Sequence, residues 1–577
     1  MKKKLLPALI VTGLIILVVI IMGITALINK YTPTKKTEDL KEYFNISSDD
    51  EAALIVDNEL SDYKAKIIDK KIYVDYKFVH DSLNSRFYWD ANENVLLYTT
   101  ASDIISAAAD SNSYSVTKQT NDFGYPIVKA TSDSALIALD YVKQYSNITF
   151  KSYDDPARIV ITSKWDEIDS ATVSKSTQVR VKGGIKSPIL KEVKKDDKIT
   201  ILDSGDKWDK VATEDGVIGY IKSKALSESK KTKLTNPDYE EETFTHIKKD
   251  KDICLAWNQV TSQSANNKVP QVISSTKGIN VMSPTWFYLN DNNGNLADIA
   301  SKDYVSYCHS QGIEVWGLFS NFENTDVDAA YVLTHTSTRT TLINQIMSAA
   351  FNYELDGVNI DFENITEAAY GDSYIEFIRE LAIKCHNNGI SLSVDVTVPA
   401  SFNKFFNRSD MANFADYIVI MGYDEHYKGS DAGSVSSIPW VTEGVESTLK
   451  EVPADQIILG MPFYTRIWEL TPKEDDDAVT DTEDQSKYTV ASQVYSMDAA
   501  AAQLATNNAT AALDEESGQN YAEWSVSNKL YKVWLEDNTS LENRLKLVDD
   551  NKLAGAAFWK LGFENSSVWD TVIKYLN

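Results

Sequence analysis

The stretch Leu355-Asp356-Gly357-Val358-Asn359-Ile360-Asp361-Phe362-Glu363-Asn364 reads as a short buried strand that carries polar side chains where a plain core strand has none. Strand side chains alternate between faces, so Val358, Ile360 and Phe362 share one face and Asn359, Asp361 and Glu363 the other. The first face is apolar enough to be covered by helices. The second lines up an amide and two carboxylates at intervals of about 6–7 Å. Crowded carboxylates do not all ionise freely, so one of them is expected to hold a proton near neutral pH, as a general acid must. An acidic strand end that faces solvent or a cation is the plainer reading. It fits less well, because buried acidic residues are rare unless something pairs with them.

Around this strand, short apolar runs alternate with helical stretches from about His246 to Asn577. The expected strands are Ile253–Asn258, Ile279–Trp286, Ile313–Asn321, Gly357–Glu363, Ile390–Val398, Tyr417–Asp424, Ile457–Tyr464 and Gly555–Leu561, with helices such as Arg339–Phe351, Tyr374–Asn387 and Val441–Lys450 between them. Eight strands with helical crossovers predict a (β/α)8 TIM barrel, a fold that keeps its chemistry at the C-terminal strand ends. Glu363 lies at such an end. So do Trp257, Trp286, Tyr423, Asp424, Tyr464, Arg466 and Trp559. Many aromatic and polar groups at one rim suit a ligand with flat apolar faces and hydroxyl edges, as sugar rings have.

The chain has 577 residues, enough for several domains. Its 43% hydrophobic and 11% aromatic content belongs to folded sequence. A formal charge of -27 and a pI near 4.7 argue against a nucleic-acid partner, since phosphate binding needs basic surface. Cys254, Cys308 and Cys385 are too few and too scattered for a disulfide framework or a zinc site. The six histidines show no metal-binding spacing, and no phosphate loop occurs, so neither a metal nor a cofactor is expected.

Ahead of the barrel, Met1–Lys4 precede an apolar run from Leu5 to Ile28, long enough to cross a bilayer and too long for a cleavable signal. A signal anchor is expected, with residues 1–4 cytoplasmic and everything after Lys30 outside. Residues 42–166 read as a mixed α/β module. Lys71–Val79 alternates, a helix begins near Tyr76, and Phe87-Tyr88-Trp89 and Val95–Tyr98 flank a hairpin turn. That order resembles the copper-amine-oxidase N-terminal-like modules of bacterial envelope proteins, which implies packing or wall contact and no copper chemistry. Residues 170–227 hold short strands with turns at Gly183-Gly184, Ser204-Gly205 and Asp215-Gly216, as in a small β-barrel. The order of Val179-Arg180, Ile199–Leu202, Trp208–Val211 and Gly219-Tyr220-Ile221 resembles bacterial Src-homology-three-like domains, which implies wall binding; a plain spacer is the alternative. Residues 228–245 read as a polar linker.

Acidic residues among aromatics, without a nucleophile triad or metal, point to glycoside cleavage. Asp361 and Glu363 rise from one face of one strand, so they approach a sugar from the same side. The usual retaining pair flanks the scissile bond with carboxyl groups about 5–5.5 Å apart. The missing nucleophile is then expected to be the substrate's own 2-acetamido oxygen.

Asp356-Gly357-Val358-Asn359-Ile360-Asp361-Phe362-Glu363 resembles the Asp-x-x-Asp-x-Asp-x-Glu signature of glycoside hydrolase family 18, whose substrate assistance is established. Met421-Gly422-Tyr423-Asp424 and Gly555-Ala556-Ala557-Phe558-Trp559 match later family motifs in order, and Ser283–Phe287 resembles its spore and cell-wall members. The resemblance implies Glu363 as proton donor, Asp361 on the acetamide N–H, Tyr423 on the acetamide oxygen, Asp424 on the sugar and Trp559 stacked beneath it. Asn359 departs from the signature, because an amide cannot share a proton with Asp361 as the family's Asp does. It is expected to hydrogen-bond Asp361 and to preserve activity. Residues 470–524, including the acidic Glu474–Asp477, are expected to form a small α+β insertion beside the cleft; for the first half a disordered acidic loop is the alternative. The reading that follows is a membrane-anchored hydrolase of peptidoglycan β-1,4 bonds after N-acetylglucosamine. Chitin or other N-acetylated glycans are the alternative substrates, and a catalytically dead sugar-binding barrel is the alternative function.

Overall fold

The computed structural model describes residues 5–363, 365, 368–473 and 484–576. Met1–Lys4, Asn364 and the acidic run Glu474–Asp477 lie outside the described residues. Leu5–Tyr31 is one helix of 27 residues. At 1.5 Å per residue it is about 40 Å long, sufficient to cross a hydrocarbon core of about 30 Å.

The remaining chain divides into two compact units. The first contains two seven-stranded sheets. In one, Glu51–Val56 pairs in parallel with Arg158–Thr162 and antiparallel with Glu59–Ile68, and helices Tyr76–Ser82 and Leu139–Tyr145 accompany the sheet. In the other, Thr177–Arg180, Lys198–Asp203, Trp208–Thr213 and Ile218–Lys222 belong to an antiparallel meander. Phe44, Ala53 and Ile55 share one core with Val179, Val211 and Ile221, so residues 42–166 and 170–227 bury apolar surface jointly. The polar linker expected from residue 228 contains a strand, Lys230–Lys233, at the edge of the second sheet. Cross-strand charge explains it: Lys231 sits opposite Asp169 with an ion pair at 2.9 Å, and Lys233 opposite Glu167.

The second unit is the barrel together with residues 90–106 and 115–120. Asp90 accepts from both the amide and the hydroxyl of Thr336 at 2.6 Å, at the start of helix Thr336–Tyr353. Thr99 donates to Glu376 on helix Ala368–His386 at 2.8 Å. Part of the stretch read as a separate α/β module therefore packs on the barrel.

The eight barrel strands are β1 (Ile253–Asn258), β2 (Val281–Leu289), β3 (Glu314–Ser320), β4 (Gly357–Asp361), β5 (Ser391–Thr397), β6 (Tyr417–Met421), β7 (Ile457–Pro462) and β8 (Gly555–Trp559). All neighbours pair in parallel, and β8 returns to β1. Inside, Leu255, Val281, Trp316, Leu318, Tyr417 and Ile458 fill the floor, with Trp316 and Tyr417 stacked at 5.6 Å. Gly357 is required there, because a Cβ would stand 2.5 Å from the Trp316 ring. With the floor plugged, the cleft opens at the C-terminal strand ends.

Between β7 and helix Asn538–Asp550 the chain builds a five-stranded antiparallel sheet from Tyr464–Pro472, Tyr488–Ser496, Ala512–Asp514, Gln519–Val526 and Lys529–Leu535, with helix Met497–Thr506. The insertion is wider than 470–524. Tyr464 leaves the barrel at once, and each long inserted strand finds its partner inside the insertion.

Candidate active site

A cleft of about 570 Å³ opens above the strand ends, lined among others by Asp361, Glu363, Asp395, Tyr423, Asp424 and Trp559. Parallel pairing sets Asn359 beside Ser393 and Ile360 beside Val394. One residue further, the same register brings Asp361 level with Asp395. Asp361 is 5% exposed and Asp395 4%. Burial pushes the Asp361 carboxyl well above the ordinary carboxylate range, helped by the charges of Asp395, Glu363 and Glu323. Asp395 is pushed up by burial and by Glu363, against a hydrogen bond from Asn359. The Oδ1 atom of Asp361 is buried and has no hydrogen-bond partner.

Glu363 follows β4 at the open mouth of the cleft. Partial desolvation raises its carboxyl first, and the charges of Asp424 and Glu323 add to the effect. A carboxyl raised in this way keeps its proton to higher pH than an ordinary glutamate, which suits it to donate one. Tyr423 is kept as a phenol by burial and by the charges of Asp395, Asp361 and Glu363, so its hydroxyl stays a donor. Trp257 stands 5.9 Å from Trp559 and 6.5 Å from Tyr423, both edge to face, which makes an aromatic floor.

Five sequence expectations, for Asp361, Glu363, Tyr423, Asp424 and Trp559, converge on this cleft together with Trp257. Tyr464 and Arg466 stand behind it. The Tyr464 hydroxyl donates to Asp424 Oδ1 at 2.6 Å, and Arg466 lies 3.6 Å from the same oxygen. Asp424 itself has φ +62°, a left-handed conformation that these two partners help to hold. Trp286 is not at the cleft. Ser283 and Thr285 face inward, so alternation turns Trp286 outward, where it is fully buried against Tyr304 and donates to Asn266 at 2.7 Å. Asn359 does not bond Asp361. Its Oδ1 accepts from Trp257 Nε1 at 2.9 Å and Ser283 Oγ at 3.0 Å, and its Nδ2 donates to Ser393 Oγ at 3.0 Å and Asp395 Oδ1 at 2.7 Å.

Asp395 and Glu323 escaped the sequence reading, as did the rim aromatics Phe402, Tyr427 and Trp440. A signal for Asp395 existed: Ser393, Asp395 and Thr397 share one face of β5 just as Asn359, Asp361 and Glu363 share one face of β4. Phe402 lies in the short 3-10 helix Ser401–Phe406, Tyr427 in a loop and Trp440 in the first turn of helix Ile438–Thr448, all in connections that follow barrel strands, where no strand periodicity marks them.

A TIM barrel with an acid at the end of β4, a buried carboxyl beside it and an aromatic floor defines a glycoside hydrolase. Residues 321–564 match the sequence profile of glycosyl hydrolases family 18, and the protein is a glycoside hydrolase. Among its relatives, the uncharacterized glycosylase YvbX of Bacillus subtilis is 23% identical over 349 residues, which is 56% of this chain and 95% of YvbX. The cortical fragment-lytic enzyme of the same organism is 24% identical over 287 residues, covering 48% of this chain and 63% of that enzyme. The crystal structure of the Bacillus cereus spore cortex-lytic enzyme SleL superposes with a TM-score of 0.50 at 18% identity, over 56% of this chain and 74% of SleL.

Proposed function

We propose that the protein cleaves the β-1,4 bond after N-acetylglucosamine in peptidoglycan by substrate-assisted retaining catalysis. The observation that carries this reading is the buried, unpartnered Oδ1 of Asp361 beside the Tyr423 phenol, with Glu363 two residues further along the chain, just past the end of β4. Glu363 protonates the leaving oxygen. The substrate's acetamide oxygen attacks the anomeric carbon from the opposite face and closes an oxazolinium ring. Asp361 accepts the acetamide N–H and offsets the positive charge, and Tyr423 donates to the acetamide oxygen. Water, deprotonated by Glu363, then opens the ring with retention. Asp424 holds a sugar hydroxyl, and Trp559 and Trp257 floor the sugar.

Peptidoglycan is favoured over chitin by the likeness to a cortical fragment-lytic enzyme and by the order of strands in residues 170–227, read as a wall-binding module. The apolar helix Leu5–Tyr31 is read as a single-pass anchor that leaves the barrel on the wall side of the membrane. The test is mass spectrometry of peptidoglycan digested by the protein and by Glu363→Gln. Fragments with N-acetylglucosamine at the new reducing end, absent with the variant, are expected. A thiazoline mimic of the oxazolinium should inhibit, and Asp361→Asn should be severely slowed. An inverted product with no thiazoline inhibition overturns the substrate-assisted scheme, and intact peptidoglycan alongside cleaved chitin oligomers reassigns the substrate.

A further inference from the structure

Asn359 uses its full hydrogen-bonding capacity away from Asp361, since its two accepted and two donated bonds go to Trp257, Ser283, Ser393 and Asp395. The neutral amide thus replaces the charge expected at that position, and a carboxylate stands on the neighbouring strand instead. Adjacent strands lie about 4.7–4.9 Å apart, and the β4–β5 register sets Asp361 and Asp395 side by side, both turned into the barrel and both nearly excluded from solvent. The ionisable groups around them are the carboxyls of Glu323 and Glu363 and the phenols of Tyr374 and Tyr423. None of these supplies a positive charge that would let both aspartates ionise.

We propose that Asp395 is the partner carboxyl of Asp361: the two share one proton, and Asn359 is the neutral clamp that aims Asp395 at its neighbour. The proposal rests on the substrate-assisted reading for its role in turnover. In the resting enzyme one proton and one negative charge are divided between the two carboxyls. When Glu363 gives its proton to the leaving oxygen and positive charge develops on the oxazolinium, the negative charge settles on Asp361 and the shared proton on Asp395. When water opens the ring, the positive charge disappears and the proton is again divided. No proton enters or leaves the pair, so the total charge of the site follows Glu363 alone. Both carboxyls being pushed above the ordinary range agrees with a shared proton. Asp395 is in these terms a positioning residue that acts through Asp361.

The test uses the full chain and three variants, Asp395→Asn, Asp361→Asn and the exchange Asn359→Asp/Asp395→Asn. Infrared difference spectra at pH 7 read protonated carboxyls without any turnover. Subtracting the spectrum of either single variant from that of wild type should leave the band of one protonated carboxyl, with Glu363 and the buried glutamates cancelling, and subtracting that of the exchange should leave none. In turnover of chito-oligosaccharide or peptidoglycan, Asp395→Asn should lower kcat at least tenfold. It should also move the acid limb of the pH profile down by a unit or more, with KM changed less than threefold. The exchange should return kcat to within tenfold of wild type. A purely structural hydrogen-bond acceptor at position 395 would move neither band nor limb, since an Asn there still accepts from Asn359; an unshifted limb with an unchanged band overturns the proposal. If wild type cleaves no N-acetylglucosaminyl substrate, the substrate-assisted reading fails, and the infrared band alone still decides whether the proton is shared.

Discussion

Replacing Glu363 by Gln tests the assignment of the acid with almost no change in shape. The side chain sits at the mouth of the cleft, beyond the end of β4, so the amide occupies the same space and folding should be unaffected. What disappears is the transferable proton. General acid catalysis contributes about 10²–10⁴-fold, which is roughly 2.7–5.5 kcal/mol of barrier at 1.36 kcal/mol per factor of ten. The raised carboxyl keeps its proton to higher pH than an ordinary glutamate, so the loss should fall well inside that range. The loss should depend on the leaving group. A sugar alkoxide needs the proton, whereas an aryl alcohol that departs as its anion does not. Single-turnover release isolates the first step from the later activation of water, which also uses Glu363. On an unsubstituted N-acetylglucosamine oligomer the variant should lose about a thousandfold, within the range for a general acid. On an aryl glycoside of the same sugar the loss should stay below about tenfold, since the proton is no longer required. Equal losses on both substrates would refute the role of Glu363 as acid and leave it a binding residue.

The pH profile of kcat/KM should be bell-shaped. Glu363 must be protonated and its folded pKa is raised, so activity is full below that pKa and falls as pH rises through it; the Asp361–Asp395 pair must keep one negative charge, so activity falls again as pH drops through the pair's lower step. Trp559→Ala should raise KM roughly 10–100-fold, the equivalent of about 1.5–3 kcal/mol of lost apolar contact, while Trp286→Phe should lower stability through its lost bond to Asn266 and leave KM unchanged. Arg544→Met should cost about 3–5 kcal/mol in chemical denaturation, because it strips the cation from the fully buried Glu536. The carboxyl of Glu536 is already pushed up to about 7, above its unfolded value, so folding favours its protonated form and the loss should be smaller at pH 5 than at pH 8. A loss independent of pH would mean that Glu536 stays ionised in the variant.

Short apolar runs marked all eight barrel strands in the amino-acid order, because strands buried on both faces write themselves so, and the alternation of the pleat then sorted their side chains. The same alternation placed Asp361 and Glu363 on one face and at the strand end where this fold keeps its chemistry. Identity of residue type marked Tyr423 and Trp559 within motifs whose order is local. Tertiary structure decided which side chains meet. Trp286 has the composition of a cleft residue and turns away from the cleft, since orientation follows the pleat rather than proximity to a strand end. Asn359 spends its amide on Asp395 because β5 is its neighbour in the sheet, although 36 residues separate the two in the chain. Tyr464 and Arg466 reach Asp424 only because the inserted sheet begins directly after β7. A strand's own sequence fixes its faces; the register between strands, set by closure of the barrel, determines which carboxyls crowd together and therefore which of them keeps a proton.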